Sequence, residues 1–557
     1  MSIGELLRQR GKITAEQLKH AQESRRRPTD RIEQILIEQG VVNERDVLEI
    51  IGEQLSIPVV DLSSIEIDPE LLNLIPSKIV HRYHLFPIKK VNGALRVATA
   101  NALDLYAFDE LRMLTGMKVE PMLAPEGDIK RVIKQHYGVG GQTVEDMLEA
   151  SDVEVVSEVH EEDGDLIEMA QEATVVKLVN EILLEAIRDR ASDVHIEPFE
   201  DGLRIRYRID GVLHTTNVPE QIRRFHAAII SRIKILANLN IAEHRLPQDG
   251  GFRIRAQNRE IDLRVSIIPT VFGGAVVMRI LDKSSVLLGL RDLGMADEAL
   301  EGFNELIHQP YGIILVTGPT GSGKTTTLYS ALNSVKTDKI KILTIEDPVE
   351  YHLDGINQVG IQPKIGLTFA SALRSFLRHD PDVILVGEIR DLDTAEVAIN
   401  ASLTGHLVFS TLHTNDAVTA NTRLLDMGVE PFLVSGAISG VLAQRLVRKI
   451  CSDCKEEYSP ELSQLPPDFD PQSSETLFRG QGCRECRHTG YRGRFGIFEL
   501  LSMNDELREM VVKGASTLDM LAAARRNGLK LMREDGWAKV RRGETTVEEV
   551  ARVTKPI

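Results

Sequence analysis

At 557 residues, 42 % hydrophobic and 27 % charged, the chain has material for three or four globular domains with buried cores. It contains no apolar run of the roughly eighteen residues a membrane span needs, and its opening Met1-Ser2-Ile3-Gly4-Glu5 lacks a signal-peptide core; the expectation is a cytosolic protein that reaches a membrane only through partners. The net charge of −17 argues against a general nucleic-acid binder, whose surface would carry a basic footprint, so no nucleic-acid partner is expected.

Residues 1–56 contain an internal repeat at an offset of 29: Ile3, Leu6, Leu7, Gly11, Ile13, Thr14, Leu18 and Ala21 recur as Ile32, Ile35, Leu36, Gly40, Val42, Asn43, Val47 and Ile50. Each copy predicts a helix stopped by glycine and a second helix capped by Thr14 or Asn43. This is the pattern of a small helical docking domain. Residues 57–137 mix β-like runs (Pro58-Val59-Val60, Ala94 to Ala98) with helical spacing over Ala107 to Leu114, as a small α/β subdomain would. No Lys or Arg lies between Lys134 and Lys177, where twelve Asp and Glu fall; removing them leaves only −5 for the rest of the chain. Residues 138–172 are therefore expected to be a self-repelling, flexible linker.

A further α/β unit is expected over 173–283. Helical spacing through Val176, Val179, Ile182, Leu183 and Ala186 is followed by strands. Leu203 to Leu213 alternates apolar and basic residues, with Arg204, Arg206 and Arg208 on one strand face and Asp210-Gly211 at a hairpin turn. Phe252 to Arg255 and Ile261 to Val265, the latter carrying Arg264, repeat the alternation. Arginines standing out along strands suit a surface that presses on a triphosphate.

Residues 284–557 carry the chemistry. Ile313 to Thr317 is a short apolar strand; Gly318, Pro319, Thr320, Gly321, Ser322, Gly323, Lys324 and Thr325 follow in P-loop spacing, and Thr326 to Leu332 is helix-compatible. Glycines let backbone N–H groups converge on phosphate oxygens, and the helix that follows adds the positive end of its dipole. Lys324 is expected on the β- and γ-phosphates of ATP and Thr325 on Mg²⁺. Three further segments should meet the γ-phosphate. The strand Lys341 to Ile345 ends in Glu346-Asp347-Pro348-Val349-Glu350; Val383 to Val386 runs into Gly387-Glu388; and Leu407 to Leu412, begun by His406, ends in His413. Carboxylates at the C-terminal ends of such strands face the ligand crevice. Gly387 stands where a Walker B aspartate is usual, which leaves Glu388 for the outer shell of the metal and shifts the role of base toward Glu346. His413 is placed as a phosphate sensor.

The four cysteines form two pairs at x2 spacing, Cys451 with Cys454 and Cys483 with Cys486, 28 residues apart. Paired thiolates at this spacing predict a closed tetrahedral Zn²⁺ site, in an insert spanning 448–492.

Together the P-loop, the Thr344 to Glu350 acidic box, Gly387-Glu388, the two histidines and the tetracysteine insert resemble the secretion assembly ATPases. These are the hexameric motors of type II secretion and type IV pilus assembly. The wording Ile399 to His406 and Asp426 to Phe432 leans toward the type II secretion branch. The resemblance implies a RecA-like motor domain preceded by a PAS-like domain, which would supply arginines from among Arg204, Arg208, Arg245 and Arg264. It implies ATP hydrolysis in a homohexamer that powers pseudopilus assembly and protein export. It also implies recruitment to the inner membrane, the N-terminal domain docking on a membrane protein's cytoplasmic region beside a polytopic platform protein. Relatives that bind cyclic di-GMP open each N-terminal repeat with Arg-Leu-Gly. Here the copies open Ser2-Ile3-Gly4 and Arg31-Ile32-Glu33, so the resemblance does not extend to that ligand.

Overall fold

The computed structural model describes residues 3–23, 32–62, 69–75, 77–102, 104–137, 173–256, 259–282, 288–461, 463, 465–469 and 476–556. The chain divides into two compact units, Met1–Asp282 and Lys283–Ile557. The expected acidic linker over 138–172 lies outside the described residues.

In the first unit the repeat becomes two helical hairpins, Ile3–Gln9 with Ala15–Glu23 and Ile32–Glu38 with Glu44–Leu55. Gly11 and Gly40 stop the first helix of each pair at positive φ (72° and 68°), where a Cβ would be strained. Thr14 and Gln17 close a reciprocal capping box: the Gln17 N–H donates to Thr14 Oγ1 (3.2 Å) and the Thr14 N–H to Gln17 Oε1 (2.8 Å). Leu7, Leu18, Ala21, Leu36, Val47 and Ile50 form the core of the hairpins. The subdomain that follows is a three-stranded sheet, β1 (Leu85–Val91), β2 (Ala94–Thr99) and β3 (Lys118–Leu123), covered by helices. The Pro58-Val59-Val60 run adds only an isolated bridge from Val59 to Leu123.

The arginine-bearing segment is a six-stranded antiparallel sheet. Its strands are β4 (Asp193–Pro198), β5 (Leu203–Ile209), β6 (Val212–Thr216), β7 (Gln248–Ala256), β8 (Arg259–Thr270) and β9 (Gly273–Asp282), in the spatial order β6-β5-β4-β9-β8-β7. Asp210 (φ 48°) and Gly211 (φ 86°) make the tight turn between β5 and β6, the two positive φ values a two-residue hairpin needs. Ile205, Tyr207, Leu263 and Val265 point into a core shared with the helices Ala173–Arg188 and His226–Leu236. The alternating residues, arginines among them, are left on the opposite face.

The second unit is built on a seven-stranded sheet in the order β12-β11-β13-β14-β10-β15-β18. Here β10 is Gly312–Thr317, β11 Ile342–Glu346, β12 Asn357–Gly360, β13 Val383–Val386, β14 Leu407–Leu412, β15 Ile438–Ile450 and β18 Tyr491–Ser502. The interior strand β10 runs parallel to β14 on one side and β15 on the other, and every residue in it is buried. Ile313 and Leu315 face one core, Ile314 and Val316 the other. That is why β10 reads as an uninterrupted apolar run rather than an alternating one. Between Ile450 and Tyr491 the chain leaves the sheet for a small lobe with strands β16 (Lys455–Tyr458) and β17 (Leu477–Gly480). The four cysteines bracket that lobe. Helices from Asp505 to Val553 complete the unit.

Candidate active site

Thr317 ends β10, and Gly323 is the N-cap of the helix Lys324–Val335. Between them Gly318, Gly321 and Gly323 all have positive φ. Pro319, Thr320 and Gly321 are exposed, whereas Gly318 and Ser322 are buried. The first N–H groups of the helix have no intrahelical acceptor, and together with the dipole they make this end of the helix an anion site. Lys324 Nζ donates to the carbonyls of Gly318 (2.8 Å) and Pro319 (3.1 Å). Burial pushes its pKa down, so the ammonium gains from any anion brought within reach.

At the ends of the neighbouring parallel strands lie the other polar groups. Glu388, two residues past β13, forms an ion pair with Arg390, which also lies 3.7 Å from Asp347. His413, the residue after β14, places Nε2 3.4 Å from Glu388 Oε2. The loop carrying His413 is fastened to the P-loop strand. Thr317 Oγ1 donates to the Leu412 carbonyl (3.0 Å), contacts Thr414 Oγ1 (2.6 Å) and accepts the Thr414 N–H (2.9 Å).

Glu346 has a different environment from Glu388. It is the last residue of β11 and only 4 % exposed. One oxygen accepts the Tyr329 hydroxyl; the other accepts Thr344 Oγ1 (2.5 Å) and Gln358 Nε2 (3.2 Å). Burial, reinforced by that carboxylate, holds the Tyr329 phenol well above its usual range. Glu346 is thus buried with both oxygens occupied, whereas Glu388 is only partly buried and is engaged by Arg390 and His413. Tyr329 and Gln358 were not legible as partners of Glu346, since they come from the P-loop helix and from β12.

The two histidines do not act together. His406 stands at the opposite end of β14, with Nδ1 2.9 Å from the Ala401 carbonyl and 3.2 Å from Thr404 Oγ1. A strand of that length separates the histidines by roughly 20 Å. Arg378 is likewise used locally, capping its helix through the Arg374 carbonyl (2.7 Å).

In the first unit, most arginines on the exposed face of the sheet have their own acid. Arg204 pairs with Asp201, Arg206 with Glu197 and Arg253 with Asp262. Arg245 lies off the sheet, held by Glu243 at 2.9 Å. One cross-strand row differs. Arg208 on β5 is opposite Asp193 on β4, Asp193 is opposite Arg279 on β9, and Arg279 is opposite Arg264 on β8. Asp193 is 6 % exposed and takes Arg279 Nε at 3.0 Å, with Arg208 Nε at 3.6 Å. Like charges directly opposite each other destabilise a sheet. Arg264 and Arg279 are such a pair in the ladder. Arg279 escaped the sequence reading because only the strand register brings it beside Arg264.

The cysteine sulfurs all lie within 4.8 Å of one another, with Cys451 to Cys483 at 3.8 Å and Cys454 to Cys486 at 3.7 Å. Tetrahedral Zn²⁺ with Zn–S near 2.3 Å requires sulfur separations of about 3.8 Å. Burial alone would raise the Cys486 pKa, but N–H bonds from Cys483 and Gly490 bring it down to about 7. The donor set and its spacing fit a closed four-thiolate metal site.

The model of the type II/IV secretion system protein family matches residues 168–552, and that of the MshEN domain matches residues 55–143. The type IV pilus assembly ATPase PilB of Myxococcus xanthus is 43 % identical over 563 aligned residues, covering 100 % of this chain and 99 % of the relative. The type II secretion system protein E of Xanthomonas campestris pv. campestris is 46 % identical over 528, covering 93 % and 92 %. Among solved structures, the Legionella pneumophila ATPase DotB is similar in fold, with a TM-score of 0.51 at 22 % identity over 67 % of this chain and 94 % of that one.

Proposed function

The chain belongs to the type II/IV secretion system protein family, and from that premise we propose that it is the ATPase motor of a type II secretion system, hydrolysing ATP to drive pseudopilus assembly and protein export. The observation that carries the reading is the meeting of a P-loop with Glu388 and His413 at the C-terminal ends of β10, β13 and β14. In this reading residues 318–326 hold the phosphates and Lys324 leaves its loop carbonyls for the β- and γ-oxygens. Thr325 would hold Mg²⁺, which, when bound, offsets phosphate charge. Glu388 takes the proton of the attacking water, and His413 keeps the carboxylate oriented. Glu346 fixes the acidic box against the P-loop helix. The arginines that the family resemblance implies, Arg208 and Arg264 among them, are our candidates for offsetting charge that develops on the γ-phosphate.

Four thiolates leave no open coordination position, so Zn²⁺ in the lobe is structural rather than catalytic. No helix among the described residues is long and apolar enough to cross a membrane. Attachment to the inner membrane would therefore come through partners: a membrane protein whose cytoplasmic region meets the N-terminal domain, and a polytopic platform protein, served by a homohexamer. The end-to-end match to a pilus assembly ATPase favours a second reading, in which the product is a type IV pilus. One experiment tests both: ATPase activity of the full chain with and without the cytoplasmic domain of the secretion platform or of the pilus platform. Stimulation by the secretion component supports the first reading, and stimulation only by the pilus component replaces it with the second.

A further inference from the structure

Gln444 lies on β15, one position beyond the residue paired with Thr317 at the end of the P-loop strand. It is 1 % exposed, and every polar atom of its side chain is engaged with the P-loop and its helix. Nε2 donates to the Ser322 carbonyl at 2.7 Å, and Oε1 accepts from Thr327 Oγ1 at 2.8 Å. The residue also abuts both outer glycines of the motif. A Cβ on Gly318 would fall 2.5 Å from the Gln444 carbonyl oxygen, and one on Gly323 would fall 3.1 Å from Gln444 Nε2.

We infer that Gln444 is a positioning residue for phosphate binding, setting the direction of the peptide group that joins Ser322 to Gly323. This rests on the reading that the P-loop holds nucleotide. A peptide unit is planar and trans, so its C=O and N–H point in opposite directions. Holding the Ser322 carbonyl against the buried amide of Gln444 therefore aims the Gly323 N–H the other way, into the phosphate cradle. The alternative orientation would turn a carbonyl toward the phosphates. Thr327, in the first turn of the helix, fixes which end of the amide faces Ser322, because its hydroxyl donates to the oxygen. The motif glycines supply more than backbone freedom: Gly323 leaves room for this side chain to reach the loop, and Gly318 leaves room for the Gln444 backbone.

The test uses the full chain with Mg-ADP and inorganic pyrophosphate as probes, adenosine as the control, and thermal melting of the ligand-free protein alongside. Gln444→Glu keeps shape and the Thr327 contact but presents a carboxylate to the Ser322 carbonyl. Affinity for ADP and pyrophosphate should fall about tenfold or more, the scale of one hydrogen bond to a charged group. Adenosine binding should stay near that of the parent, while the ligand-free melting temperature should fall, since a carboxylate is buried against a carbonyl. Thr327→Val, which frees the amide to turn, should move the same readouts in the same direction by less, and carries the test if the glutamate variant does not fold. Parental affinity for pyrophosphate in either folded variant, or equal weakening of adenosine and ADP, overturns the inference. Failure of the nucleotide reading is distinguishable: Lys324→Ala would then bind ADP as tightly as the parent.

Discussion

His413 Nε2 and Glu388 Oε2 lie 3.4 Å apart, which joins the loop after β14 to the carboxylate after β13. The primary structure points to Glu346 as the base and to Glu388 as an outer-shell group of the metal, whereas the proposed base is the less buried Glu388. Glu388→Gln should lower turnover on the order of 10²-fold or more with ATP affinity retained, because a positioned base is lost and a binding group is not. Glu346→Gln brings an amide N–H toward groups that now donate to Glu346, from Tyr329, Thr344 and Gln358. Stability and turnover should fall together in that variant. Steady-state kinetics beside thermal melting of both proteins checks the assignment. A Glu346→Gln chain that melts like the parent yet loses turnover selectively would reverse it.

Lys324→Ala should abolish hydrolysis and weaken ATP binding, since the β/γ charge loses its clamp. Nucleotide titration and phosphate release measure the two effects. Full turnover in this variant is incompatible with a P-loop motor.

The P-loop, the strand that leads into it and the cysteine pairs were legible because each depends on local spacing: Gly318 to Gly323, an apolar β10, and x2 thiols. The helical repeat was legible for the same reason, and its glycine stops and Thr14 cap follow from backbone chemistry alone. What escaped depends on which elements meet in space. Tyr329 and Gln358 around Glu346, Gln444 beneath Ser322 and Arg279 beside Arg264 are brought together by sheet order and register, which residue spacing does not encode. The histidine pair illustrates both. His406 and His413 were read at the two ends of one strand, and β14 keeps them there, but the partners of His406, the Ala401 carbonyl and Thr404, were not legible.

Metal analysis under reducing conditions should return about one zinc per chain. Chelation or Cys454→Ser should expose the lobe between Ile450 and Tyr491 to protease, because the sulfurs that fold it are no longer held together. Nucleotide binding at the P-loop should persist. A metal-free native protein whose four thiols titrate freely would remove the site.

Arg279 stands between Asp193 on β4 and Arg264 on β8 in the strand register. Asp193 accepts from Nε, which leaves the two terminal nitrogens of Arg279 available for bidentate contact with a phosphate. Arg264→Ala or Arg279→Ala should therefore cut turnover roughly 10³-fold, the scale of an arginine that offsets transition-state charge, while ATP binding at the P-loop is kept. Arg208→Ala should cost less, since its Nη1 is engaged by the Gly211 carbonyl at 3.2 Å. If hydrolysis depends on assembly, specific activity should rise with protein concentration as hexamers form. Mixing Lys324→Ala chains with Arg279→Ala chains then decides how the arginines are used. A P-loop with an intact lysine can meet an intact arginine from a neighbouring subunit, so the mixture should recover activity that neither parent has. Activity no higher than the sum of the two inactive proteins would mean that each chain completes its own site, and an Arg279→Ala protein with parental turnover would remove the row from the chemistry altogether.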